Sequence, residues 1–145
     1  MPTSAYNKFE DFSDQLIRGV HDFDANTFKV ALTNSAPVAT NTVLADITQI
    51  ASGGGYTTGG ETTTITVSET TGTTTVSGTQ VQWTGSGGGM ATFRYAVLYN
   101  DSSTSPADAL IAWFDYGAGG VTLAAGETFT LKFNNATPGT IFTLA

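Results

Sequence analysis

The chain has 145 residues, 12% of them charged and 40% hydrophobic, with 17 glycines, no cysteine and a formal net charge of -7. Its basic residues Lys8, Arg18, Lys29, Arg94 and Lys132 stand singly, so no basic patch exists to neutralise phosphates or anionic headgroups, and neither nucleic acid nor membrane is expected as a partner. The lack of cysteine removes disulfides, thiolate nucleophiles and Cys-ligated zinc together and leaves His21 as the sole imidazole.

From Ser4 to Val20, Phe9, Phe12, Leu16 and Val20 recur at spacings of three and four, with Ser4 as N-cap and Gly19 near the stop. This predicts a short amphipathic helix. Thr27 to Thr33 alternates Phe28, Val30 and Leu32 with Lys29, Ala31 and Thr33 and reads as the first core strand. After a loop over 34–40, Asn41 is expected to cap a second short helix carrying Val43, Leu44, Ile47 and Ile50, ended by Gly53, Gly54 and Gly55.

Thr and Gly dominate 56–79, where Ile65, Val67 and Val76 are the core candidates and two exposed or edge-type strands are expected near 61–68 and 72–77. Strand patterns follow at Thr79 to Thr84, Met90 to Asn100, Ala109 to Tyr116, Thr128 to Phe133 and Thr140 to Leu144. GSGGG, DSSTSPAD, GAGG and NNATPG separate them with turn chemistry. ATFRYAVLY and ALIAWFDY carry apolar groups on both faces, so these two strands are expected to be covered on both sides, as central core strands or at a subunit contact.

The fold class this gives is mainly β: an antiparallel sandwich, jelly roll or small barrel of about eight strands with one or two short N-terminal helices. With no Pro-rich or charged linker, one domain is expected over 1–145, a helix-containing part at 1–55 running into a β body at 56–145. The N-terminus is polar and no apolar run approaches ~20 residues, so folding in a cytoplasm is expected.

Around His21, Asp22, Asp24 and Asn26 alternate like the opening of a calcium loop, but Thr27 stands where that loop needs Gly and Thr33 where it needs Glu. A helix-to-strand turn is the better reading. A serine hydrolase would have to use His21, and no G-x-S-x-G elbow accompanies it. Of the acids Asp101, Asp108, Asp115 and Glu127, only Asp115 sits in a strongly apolar strand, the setting that raises a carboxyl pKa. The glycine runs lack G-x-G-x-x-G and a following lysine, so turns and close backbone approach explain them better than phosphate binding. Trp83, Tyr95, Tyr99, Trp113 and Tyr116 suggest a sugar-stacking platform, although period-two placement favours core packing or an oligomer interface. No catalytic residue, cofactor or metal ligand is assigned.

Tyr6 to Phe9 (YNKF), Gly19 to Asp22 (GVHD), Phe28 to Asn34 (FKVALTN), Leu44 to Ile50 (LADITQI) and Gly55 to Thr57 (GYT) occur in that order. In this the chain resembles a group of small structural proteins of tailed bacteriophages. The resemblance covers roughly the first 60 residues, and beyond them it is one of composition only. It implies a virion component, in a class that includes capsid decoration (cement) proteins, which sit on the outer surface of a shell, often as trimers.

A small acidic domain with one interaction end suits self-association on a repeating lattice, which favours capsid decoration over a tail or fibre component. The expected partners are the major capsid protein or other virion proteins, and further copies of the chain in a homo-oligomer, with a trimer favoured. Tyr6, Phe9 and Phe12 are the expected partner contacts, and Tyr95 and Trp113 the expected subunit-interface residues. A carbohydrate-binding module using Trp113, Tyr116 or Trp83 is the alternative from a different class, and a depolymerase using Asp115 the third reading.

Overall fold

A computed structural model describes residues 4–145. The alternating segment FKVALT forms the strand on which the fold is organised. Phe28, Val30 and Leu32 point into one apolar cluster and Ala31 into another on the opposite face, so this strand is buried on both sides.

Among the described residues there are twelve strands, all paired antiparallel, and one short α-helix. In chain order the elements are β1 (Asn7–Lys8), α1 (Phe12–Ile17), β2 (Phe28–Thr33), β3 (Glu61–Thr63), β4 (Ile65–Thr70), β5 (Thr73–Gly78) and β6 (Val81–Thr84). They continue with β7 (Met90–Phe93), β8 (Tyr95–Asn100), β9 (Leu110–Asp115), β10 (Val121–Leu123), β11 (Thr128–Leu131) and β12 (Gly139–Leu144). The main sheet has five strands in the order β1-β9-β8-β2-β3, beside a three-stranded sheet β12-β5-β4 and two pairs, β10-β7 and β11-β6. Strands of the N-terminal third thus lie in the same sheet as strands from the rest of the chain.

The larger cluster joins Phe28, Val30 and Leu32 of β2 to Val76, Trp83, Phe93, Phe129 and Ile141 of the three smaller sheets. On the other face, Ala31, Val97, Tyr99 and Leu110 are covered by Phe9 and Ile47, with Leu44 and Trp113 packed alongside. Full burial of each such Leu, Val or Phe contributes roughly 1.5–3 kcal/mol. The expectation that β8 and β9 are covered on both sides is therefore met from within the chain. β9 carries a bulge: Leu98 pairs with Ala112 but Tyr99 with Leu110, which leaves Ile111 as the extra residue. That insertion puts Leu110 and Trp113, three apart, on the same side of the sheet.

The strand count exceeds the expected eight because two runs break where the chain passes between sheets. Thr64 separates β3 in the main sheet from β4 in the three-stranded one, and Arg94 separates β7 from β8. The short strands β1 and β10 carry too few residues to show alternation.

Both helix expectations change. In place of a helix over Ser4–Val20, residues 7–8 pair with β9 and only Phe12–Ile17 is helical, stopping before Gly19 in the left-handed region (φ +76°). The spacing of three between Phe9 and Phe12 is not one helical face: Phe9 belongs to the second cluster and Phe12 to the first, so the chain crosses from one side of the sheet to the other between them. The second expected helix is a single 3-10 turn, Leu44–Asp46. Around it Val43 bridges Ala109 and Gln49 bridges Thr33, so pairing to existing strands replaces helical bonding. Asn41 does not cap it; its Oδ1 accepts from Val38 N–H, while Asp46 Oδ2 accepts from Thr42 and Val43 N–H.

Gly60 is one of several glycines held by close backbone contact. Gly60 (φ +74°) lies so close to β2 that a Cβ there would overlap the Val30 carbonyl.

Candidate functional site

The three-stranded sheet has two chemically opposite faces. Register aligns Thr66, Ser77 and Thr140 in one cross-strand row, Ser68, Thr75 and Thr143 in the next, and Thr70 with Thr73 at the hairpin end. Alternation sends Ile65, Val76 and Phe142 the other way, towards the large cluster. The outward face is made of hydroxyls alone, with Thr66, Ser68, Thr70 and Thr143 exposed and Thr73, Thr75, Ser77 and Thr140 half-buried.

The two strand pairs repeat this chemistry. Gln82 Nε2 donates to Thr130 Oγ1 at 2.8 Å, Thr84 and Thr128 hydroxyls meet at 3.0 Å, and Thr92 and Thr122 hydroxyls at 2.8 Å. Each cross-strand pair of this kind contributes about 0.2–1 kcal/mol. Threonine serves both needs, since its β-branch suits a strand while its hydroxyl keeps the outer face wet.

Charge collects elsewhere. Near the end of β8, Lys29 Nζ meets Asp101 Oδ2 at 3.0 Å, Tyr99 Oη donates to the Gly59 carbonyl at 2.7 Å, and burial followed by the Asp101 charge raises the Asp108 pKa. Arg94 grips Asp115 with two bonds of 2.7 and 2.8 Å and lies 4.9 Å over the Tyr95 ring.

That pair overturns the expectation for Asp115. The Arg94 hydrogen bonds, with one from Gly117 N–H, pull its carboxyl down to about 2 instead of raising it. Asp115 is held as an ionised partner, a poor proton donor at neutral pH.

Of the alternating side chains after His21, those of Asp22 and Asn26 are engaged in local hydrogen bonds. Asp22 Oδ1 accepts from the N–H groups of Asp24 and Ala25, and Asn26 Oδ1 accepts from Asp22 N–H and from Asn100 Nδ2. Among the described residues no group of three or more His, Asp or Glu is placed to hold a metal ion. His21 is buried against Phe12 and Phe23, its Nε2 without a partner among the described residues and its pKa lowered to about 4 by burial.

Of the expected contact residues, Phe9 is 0% exposed, its ring 4.6 Å from that of Trp113, and Phe12 is 4% exposed among His21, Phe23 and Phe142. Both are occupied inside their own chain and offer no ring surface to a partner in this fold. Tyr6 is half-buried, edge-on to Phe114 at 6.2 Å in an open cleft with Phe133, Asn134 and Thr140, and burial raises its phenol to about 12. Tyr95 is buried under Arg94, and Trp113 is half-buried over Phe9.

The aromatic residues named for a sugar platform are distributed over both sides of the main sheet. Trp83 is buried in the large cluster with Phe129, and Tyr116 packs edge-on to the same Phe129. Tyr99 and Trp113 belong to the opposite cluster, so these rings share no common surface.

Two structural hubs escape sequence reasoning. Asn100, fully buried, donates to the Val20 carbonyl and Asn26 Oδ1 and accepts from Ser102 N–H, tying the loop after α1 to the end of β8. Tyr56 Oη accepts from Leu32 N–H and donates to Gln49 Oε1, fixing the glycine-rich turn against β2. An Asn beside DSS reads as a turn former, and a lone Tyr among glycines gives no periodic signal.

No protein-family model, curated protein or solved structure matches this chain.

Proposed function

We propose that the chain is a structural protein of a tailed-bacteriophage virion, and within that class a capsid decoration protein. It is made in the bacterial cytoplasm and docks on the outer head surface, with the major capsid protein as partner. The observation that carries this reading is the hydroxyl face of the three-stranded sheet, where Thr66, Ser68, Thr70, Thr73, Thr75 and Ser77 form rows in which no residue is charged, Glu69 alternating to the other face. Such a face exchanges water for partner hydrogen bonds without desolvating ions, which would be far more costly. Individually weak contacts of this kind, repeated around a shell, add by avidity.

The ordered motifs supply the partner class, and their placement supports a shared framework. YNKF includes β1 and Phe9, FKVALTN is β2 with one residue beyond, LADITQI covers the second face, and the GYT tyrosine fixes the turn over Leu32. The reading assigns no catalysis and no cofactor. It takes the body to be sandwich-like or jelly-roll-like, supported by the cluster joining the main sheet to the three smaller ones.

Electron microscopy of intact virions labelled with an antibody against this chain tests the proposal. Label over the head is expected. Label confined to the tail would replace decoration by a tail or fibre role, and absence from particles would overturn the virion assignment.

A further inference from the structure

An open cleft of about 280 Å³ lies where the β1 edge of the main sheet meets the three-stranded sheet. Ser4 and Tyr6 enter it from the segment leading into β1, Phe114 from β9, Phe133 and Asn134 from the turn after β11, and Thr140 from β12. In a chain of net charge -7, no charged side chain lines it among the described residues.

The walls are fixed from behind. Asn7 Nδ2 donates to the Ala5 carbonyl at 3.0 Å and to the Trp113 carbonyl at 3.3 Å, which ties the Tyr6 segment beside the end of β9. The Tyr6 ring meets Phe114 in a T-shaped contact, so Phe114 covers at most one of its faces. Phe133 is pinned through its backbone: a Cβ on Gly139 would overlap the Phe133 carbonyl. Asn134 (φ +46°) and Asn135 (φ +54°) then reverse the chain as two consecutive left-handed residues, a conformation that asparagine tolerates better than most side chains. Among the described residues, no side-chain hydrogen bond engages Tyr6 Oη, the Asn134 amide or the Thr140 hydroxyl. Burial pushes the Tyr6 phenol up to about 12, so it stays protonated as a donor.

We propose that this cleft binds a single neutral sugar residue, with its C–H face on the Tyr6 ring and its hydroxyls on Asn134, Thr140 and the Tyr6 phenol. The lining selects that class. An ion would enter without a counter-charge, and a purely apolar ligand would leave the amide and hydroxyls unpaired. Sugar hydroxyls both donate and accept, as do an amide, a phenol and a threonine hydroxyl. The volume lies just below the range of about 300–1,000 Å³ that takes drug-sized ligands, which suits one ring rather than an oligosaccharide. These residues are distinct from the rings Trp83, Trp113 and Tyr116, which share no surface. The inference is independent of the virion proposal.

NMR titration of the nitrogen-15-labelled chain with D-glucose, D-galactose and D-mannose, each to about 100 mM, tests it. Few atoms make contact, so the dissociation constant is expected to be on the order of 1–10 mM. Saturable shifts are expected at the amides of Tyr6, Asn134, Thr140 and Ile141 with at least one of these sugars. Tyr6→Ala is expected to weaken binding about tenfold or more. Asn134→Gly, which keeps the left-handed backbone and removes only the amide, is expected to do the same with an unchanged circular dichroism spectrum, and serves if the Tyr6 variant does not fold. D-glucuronate, which adds a carboxylate, is expected to bind more weakly than the neutral sugars. No saturable shift at these amides with any of the neutral sugars, a folded Asn134→Gly that binds like the wild type, or glucuronate binding as tightly as the neutral sugars would overturn the proposal.

Discussion

Asn100 Nδ2 lies 3.3 Å from His21 Nδ1, and both side chains are buried, Asn100 completely and His21 to within 4%. The two amide hydrogens of Asn100 are directed at the Val20 carbonyl and Asn26 Oδ1, so at most a shared hydrogen reaches His21 Nδ1, and Nε2 has no partner among the described residues. Protonation of Nδ1 would set two donors against each other inside the fold, so burial and hydrogen bonding both favour the neutral ring.

The consequence is acid sensitivity in a defined window. The folded state holds His21 at about 4, whereas an unfolded chain titrates it near 6.5. Between those values the unfolded chain binds more protons, so stability is complete above about 6.5 and falls as pH drops towards about 4, by up to about 3 kcal/mol. Urea unfolding at pH 7.5, 5.5 and 4.5 is expected to show this slope in the wild type. His21→Leu is expected to remove most of it.

Arg94 and Asp115 give a second titration. Asp115 is expected to titrate near 2, below the ordinary carboxylate range, because Arg94 bonds its ionised form. Carbon-detected NMR titration checks this, and Arg94→Met is expected to move the midpoint back up. The contribution of the pair to stability is present above the ordinary Asp value and is lost as pH falls towards about 2.

Phe9 distinguishes packing from docking. Its ring is completely buried on Trp113, so Phe9→Ala is expected to cost about 3–5 kcal/mol in chemical denaturation. A variant with unchanged stability and weakened particle binding would restore Phe9 as a partner contact.

Two glycines separate conformational need from chance. Gly60→Ala must overcome both a left-handed backbone and overlap with the Val30 carbonyl, and a loss of at least about 2 kcal/mol is expected. Gly119 has open space around it and no left-handed φ, so Gly119→Ala is expected to fall within about 0.5 kcal/mol of wild type. Thermal melts of the two variants check the contrast.

These residues also show what a sequence of this kind discloses. FKVALT, ATFRYAVLY and ALIAWFDY declare themselves because alternation, or apolar groups on both faces, is a direct image of a strand's surroundings. The hydroxyl face was legible as threonine and glycine enrichment over 56–79, but not as a face, because cross-strand register is a property of two segments at once. Phe9 and Phe12 mimic a helix because residues on opposite sides of a sheet end also recur at a spacing of three. Asn100 and Tyr56 act through single long-range bonds, and these leave no periodic trace. Asp115 reads as a buried acid until Arg94, 21 positions away, is placed beside it.

The central claim, docking through the hydroxyl face, is tested most directly by co-sedimentation of purified chain with virus particles lacking it, comparing wild type with Thr75→Lys and Thr75→Glu. Thr75 occupies the middle strand of that face, and burying a charge of either sign there is unfavourable. Both variants are expected to fold normally and to lose about tenfold or more in retention on particles. Retention equal to wild type for both folded variants would contradict the account.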